Sequence, residues 1–108
     1  MAGTAATMTL RLLTPSGLSE EIACDSVVLT QRDSVAGYGG GRVGIRTGHA
    51  PAVIALGEGP ALASLGTATV FRALVSWGFA SVVDDVVTVI TDHAEVDPNP
   101  SGTGSEED

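Results

Sequence analysis

Fifteen consecutive residues, GYGGGRVGIRTGHAP (37–51), form the stretch most open to a chemical reading. Within them Gly39, Gly41 and Gly44 satisfy the spacing G-x-G-x-x-G, which in a dinucleotide site lets backbone amides approach a pyrophosphate at a helix N-terminus. That chemistry needs a strand before the glycines and a helix after them. Here Gly48 and Pro51 follow Gly44 within seven residues and no helical apolar periodicity begins. The glycines are therefore expected to permit tight turns between strands or to shape a loop for docking, and a phosphate cradle is the weakest of the three readings.

Other candidates carry less. Leu74-Val75-Ser76-Trp77-Gly78 is half of a nucleophile elbow, but Leu74 stands where the first glycine should be and no helix follows. Ser76 is expected to be a strand-end hydroxyl. His49 and His93 could join Asp92 or Glu95 around a metal, yet the histidines lie 44 residues apart without a ligand-spaced partner. No metal site and no cofactor is expected, and His49 should brace its turn or meet a partner. Cys24 is the only cysteine, so an internal disulfide and a thiolate cluster are both excluded. It reads as a small core residue in a protein of a reducing compartment. Trp77 is either the largest core side chain or an exposed anchor at a protein interface.

The charge balance narrows the classes further. Thirteen acidic residues stand against five arginines and no lysine, a net charge of -8. Without lysine there is no Walker phosphate loop, no Schiff-base site and no lysine general base. The acidity argues against a nucleic-acid or anionic-lipid footprint, which leaves proteins or small molecules as partners. Neither a cationic leader nor a run of about 20 apolar residues is present, so a soluble chain is expected.

These residues must be held by strands. Apolar residues recur every second position: Met8, Leu10 and Leu12 share a face, Ile22, Cys24 and Val28 are read as sharing another, and Phe71, Ala73, Val75 and Trp77 a third. Turn signals fall at Pro15-Ser16-Gly17, Gly57-Glu58-Gly59-Pro60, Gly66-Thr67 and Asp84-Asp85. The Ala- and Leu-rich stretch 51–66 is the ambiguous one, but its glycines and Pro60 cut it into pieces too short for a helix. The chain of 108 residues then reads as one all-β domain, an antiparallel sandwich over residues 8–96, with a disordered N-terminus (1–7) and a disordered acidic tail (97–108).

Two runs together resemble a known family. Val43-Gly44-Ile45-Arg46-Thr47-Gly48-His49-Ala50-Pro51 is similar to the Leu-Gly-Ile-x-Pro-Gly-His-Ala-Pro loop of the epsilon subunit of bacterial F-type ATP synthases, called delta in mitochondria. SWGFASVVDDVVTVITDHAE (76–95) is similar to that family's Ser-Gly-Gly strand and the Val-Thr-Val-Leu-Ala-Asp strand after it, in the same order and at the same separation. The resemblance covers residues 9–95 and implies a ten-stranded antiparallel sandwich of two five-stranded sheets. It also implies a non-catalytic rotor subunit, bound to the gamma subunit and the c-ring at the cytoplasmic face of the bacterial inner membrane and peripheral to it. On this reading Arg42, Val43, Gly44, Ile45, Arg46, Gly48, His49, Ala50 and Pro51 are partner-binding residues. Deprived of its partners, such a domain would self-associate.

The sequence departs from the family pattern at several points. Arg42 replaces the acidic residue that commonly precedes Leu-Gly-Ile, the loop is lengthened by Gly37 to Gly41, and Trp77 replaces the first glycine of the pair. The family's C-terminal helical pair has no counterpart in the 13 residues after Glu95. The alternative is a free-standing binding module that uses the loop of residues 37–51 for a small ligand or protein; an enzyme is the least supported reading.

Overall fold

The computed structural model describes residues 5–32 and 39–100. Ten strands follow one another: β1 (Met8–Leu13), β2 (Ser19–Cys24), β3 (Ser26–Arg32), β4 (Gly39–Arg46), β5 (Ala52–Leu56), β6 (Gly59–Leu65), β7 (Ala68–Val75), β8 (Gly78–Val83), β9 (Val86–Thr91) and β10 (Ala94–Val96). No helix occurs among the described residues. The turn signals at 15–17, 66–67 and 84–85 fall between strands, that at 57–60 runs from the β5–β6 turn into the first two residues of β6, and the 51–66 stretch becomes β5 and β6. Expected disorder at residues 1–4 and 101–108 lies outside the described residues. Thr7 and Asp97, assigned to the ends by sequence, hydrogen-bond through their backbone N–H groups to the carbonyls of Cys24 and Arg72.

The pairing order is β10-β7-β6-β3-β5-β8-β9-β1-β2, with β4 on the other edge of β3. Two features differ from a pair of separate antiparallel sheets. Strands β1 and β9 pair in parallel, Leu10 beside Val87 and Leu12 beside Val89, because β1 enters from the chain's start and slots between β9 and β2. The ladder is also continuous, since Gln31 at the end of β3 pairs with Leu56 of β5. The result is one curled, mixed sheet whose halves fold over a common core.

That core is a single cluster of small and branched aliphatic side chains, with Leu10, Leu12, Leu29, Ile45, Leu56, Val82, Val87 and Val89 all fully buried. Alternation explains most of it: the inward set Phe71, Ala73 and Val75 of β7 is as the sequence spacing indicates. Two expectations need correction. Asp25 breaks the run between β2 and β3, so the inward residues of β3 are Val27 and Leu29, and Val28 turns away. Strand β7 ends at Val75, which puts Trp77 in the connection to β8, 38% exposed and outside the core.

Gly78 shows how closely the strands approach. It pairs with Thr91, and a Cβ at this position would sit 2.1 Å from the carbonyl oxygen of Ile90. Backbone cannot yield as a flexible side chain does. Gly78→Ala is expected to cost roughly 3 kcal/mol by forcing β8 and β9 apart. Gly44→Ala, where nothing lies within 4 Å, should change stability by less than about 1 kcal/mol. Urea midpoints of the two variants measure the difference.

Candidate functional site

Strand β4 takes the first part of the glycine loop into the sheet. Val43 faces Leu29 and Ile45 faces Val27 across the β3–β4 ladder, so these two side chains turn inward while Arg42, Gly44 and Arg46 turn out to solvent. Ile45 is 0% exposed and belongs to the core. Its assignment as a partner contact is therefore corrected: a side chain with no accessible surface cannot form one. Val43 is half-buried against the same core. Gly39, Gly41 and Gly44 lie within a strand, so the geometry of a phosphate-binding turn before a helix does not form.

The second part of the loop is a braced turn. Gly48 has φ +84°, a left-handed conformation that glycine adopts without steric cost. Its N–H donates to Asp85 Oδ1 at 2.7 Å, and the His49 N–H donates to the Arg46 carbonyl at 3.1 Å. His49 Nδ1 donates to the Ala50 carbonyl at 2.7 Å, which is the bracing role the sequence allows for this histidine. The hydroxyls of Thr47 and Thr7 are in hydrogen-bond contact. Asp85, at φ 64° in the β8–β9 turn, also accepts the Thr9 N–H on its backbone carbonyl at 3.0 Å. One residue thus ties together the β4–β5 turn, the β8–β9 turn and the start of β1.

The expected partner-binding residues do not form one patch. Gly48, His49, Ala50 and Pro51 sit at the end of the molecule that carries Asp85, whereas Arg42 pairs with Thr30 near the far end of β4, about 13 Å of strand away from Arg46. The two histidines are separated in the same way. His93, in the β9–β10 connection, lies 3.6 Å from Glu95 and its carbonyl accepts from the Ser76 hydroxyl at 3.3 Å. Ser76 is indeed a hydroxyl just past a strand end. Among the described residues no group of three or more His, Cys, Asp or Glu is placed to hold a metal ion.

Cys24 is fully buried, opposite Met8 of β1. Burial first, and the nearby Asp25 charge second, push its thiol above the usual cysteine range. Thiolate formation is therefore suppressed. Sequence reasoning marked Asp85 only as a turn residue; its role as a brace depends on a contact with a residue 37 positions away, for which no local signal exists.

Residues 7–97 match the family described as ATP synthase, Delta/Epsilon chain, beta-sandwich domain. The chain belongs to this family. The delta/epsilon match runs through all ten strands, from the residue before β1 to the residue after β10. The fold is shared with a chain of the Euglena gracilis mitochondrial ATP synthase (OSCP/F1/c-ring), at TM-score 0.67 and 21% identity, covering 88% of this chain and 56% of that one. It is shared also with a chain of the Tetrahymena thermophila mitochondrial ATP synthase central stalk/c-ring, at TM-score 0.61 and 13% identity, covering 85% and 68%. This delta/epsilon chain therefore spans little more than half the length of the Euglena chain it matches. No curated protein matches the sequence.

Two measurements check the site. Replacing Asp85 with Gly keeps the backbone conformation and removes the acceptor. Exchange of the Gly48 amide should accelerate about five- to tenfold, a loss of ~1 kcal/mol for one hydrogen bond. Alkylation of Cys24 at pH 8 should stay slow in the native protein and rise with urea in step with the loss of tertiary structure.

Proposed function

We propose that this chain is a non-catalytic central-stalk subunit of a rotary ATP synthase, holding a gamma-type shaft and the c-ring together. The observation that carries this reading is the family match across every strand of the domain. The kinship in fold with chains from a mitochondrial F1/c-ring assembly and a central stalk/c-ring assembly supports it. Both of those assemblies are mitochondrial, and placement at the cytoplasmic face of a bacterial inner membrane is part of the proposal. No helix among the described residues is long and apolar enough to cross a membrane. Attachment to the membrane would then run through partner subunits.

In such a role the subunit's work is mechanical. Complementarity at two separate faces transmits torque, and a domain that yields under load transmits little. The Asp85 brace and the single core meet that demand by fixing the docking turn to two neighbouring elements. The proposed contacts are the exposed side chains Arg42 and Arg46, the backbone at Gly44, and the turn Gly48, His49, Ala50 and Pro51, with the half-buried Val43 behind them. Isolated from its partners, the domain leaves Val53, Phe79, Val83 and Ile90 of the β5–β8–β9 half and Leu74 of β7 in solvent, exposed apolar side chains that suit self-association.

Pull-down of the tagged chain from detergent-solubilised membranes of its host is expected to recover gamma, alpha, beta and c subunits in fixed proportion. Their absence, with the chain intact and folded, would overturn the rotor reading and leave a free-standing binding module. Arg42→Glu is expected to weaken recovery of c subunits about tenfold, an effect within the range of a charge reversal at an interface.

A further inference from the structure

We propose that the end of the molecule carrying Arg32, Trp77 and Phe79 is a recognition site for a carboxylate on a protruding loop of a protein partner, with Arg32 as the ion-pairing group. Arg32 closes β3, and its guanidinium lies 5.3 Å from the centroid of the Trp77 ring and 5.7 Å from that of Phe79. Aromatic rings against a guanidinium hold its plane and strip its water, leaving its N–H edge as the part free to bond. Its Nε is buried and has no hydrogen-bond partner. A buried donor without a partner is a standing cost on a charged group; Nε itself has no accessible surface, so an incoming acceptor bonds to the part of the guanidinium edge that the half-buried Arg32 still exposes.

Among the described residues the ion pairs join Arg11 to Glu21 and His93 to Glu95, and neither includes Arg32. The guanidinium lines a cavity of about 300 Å³ with Pro15, Trp77, Phe79, Ile90 and Asp92. That volume suits a side chain or two from a loop. Around it Phe79 is 54% and Ile90 58% exposed, so a cation sits inside an apolar rim, the arrangement of an interface anchor. Arg42, across from Thr30 on β4, is exposed at the same end. In a chain of net charge -8, two arginines that join no ion pair among the described residues gather positive charge at one end and favour an acidic partner there.

A phosphate headgroup or free phosphate suits the cavity less well. Asp92 shares the cavity with a single guanidinium, and its charge opposes a dianion more strongly than a monovalent carboxylate. The apolar rim also contributes nothing to a bare ion. The identity of the partner as a rotor subunit rests on the function proposed above; the carboxylate site itself does not.

Trp77 is the only tryptophan and reports on the site directly. The full chain is titrated with the blocked peptide Ac-Leu-Asp-Leu-NH2, with its Asn counterpart, and with inorganic phosphate at matched ionic strength. The Asp peptide is expected to change Trp77 emission saturably, and the Asn peptide and phosphate to bind at least tenfold more weakly. Arg32→Gln should weaken the Asp peptide at least fivefold, Arg32→Lys by less, and Asp92→Asn should tighten it two- to threefold. Circular dichroism and slow Cys24 alkylation show that each variant is folded. A silent wild-type titration, equal binding of the Asp and Asn peptides, phosphate binding as tight as the Asp peptide, or full affinity in folded Arg32→Gln would each overturn the assignment. If the wild-type chain binds the peptide but recovers no rotor subunits from membranes, the rotor reading fails while the site stands.

Discussion

The structure turns on one corner, at Thr30. Strand β3 begins between β4 and β6, with Val28 beside both Gly44 and Leu62, and ends beside β5 through Gln31 and Leu56. To change neighbours it must bend, and its register with β4 shifts between Thr30 and Arg32. Leu29 and Thr30 are consecutive and both buried, which a straight strand with one inner face does not allow. A buried hydroxyl needs a partner, and Thr30 donates to the Pro60 carbonyl at 3.0 Å while its own carbonyl accepts from the Gly57 N–H at 3.1 Å.

Much follows from that corner. The β5–β6 turn must pass close to Thr30, and a Cβ at Gly59 would lie 2.6 Å from the Thr30 hydroxyl oxygen. Glycine there is a packing requirement. Because β3 serves both halves, the curled sheet closes over one core, and β4 is left paired with β3 alone among the described strands. The bend also delivers Arg32 to the end of the molecule where the β7–β8 connection places Trp77 and the start of β8 places Phe79. The braced turn at Gly48 and the cationic, aromatic end at Arg32 thus lie at opposite ends of a rigid body. Two separated ends of that kind suit the proposed role of a subunit that links two larger partners.

The fold class was legible in the sequence wherever a strand had one wet and one dry face. Met8, Leu10, Leu12 and the β7 series obey a period of two because each successive side chain crosses the sheet. The glycine-histidine-alanine-proline turn was legible by its local spacing, since Gly48 needs a conformation that favours glycine. The reading failed where alternation restarts across a break, as at Asp25, and where a strand ends early, as at Val75 before Trp77. Ile45 looked like part of a surface motif because its neighbours are; that it faces inward depends on the β3–β4 register.

By itself, then, the sequence determined a lysine-free, acidic, all-β chain with one cysteine, a period-two core and a glycine-histidine-alanine-proline turn. These are properties of composition and of neighbours a few residues apart. Only the tertiary structure decided that β1 joins β9 in parallel, that Asp85 holds the Gly48 turn, that Ile45 is core, and that Arg32 meets Trp77 and Phe79. Each of these depends on residues brought together from more than ten positions apart in the chain. Closing such a loop is opposed by chain entropy whatever the residue types at its ends, so the pairing is selected by burial and register across the whole sheet.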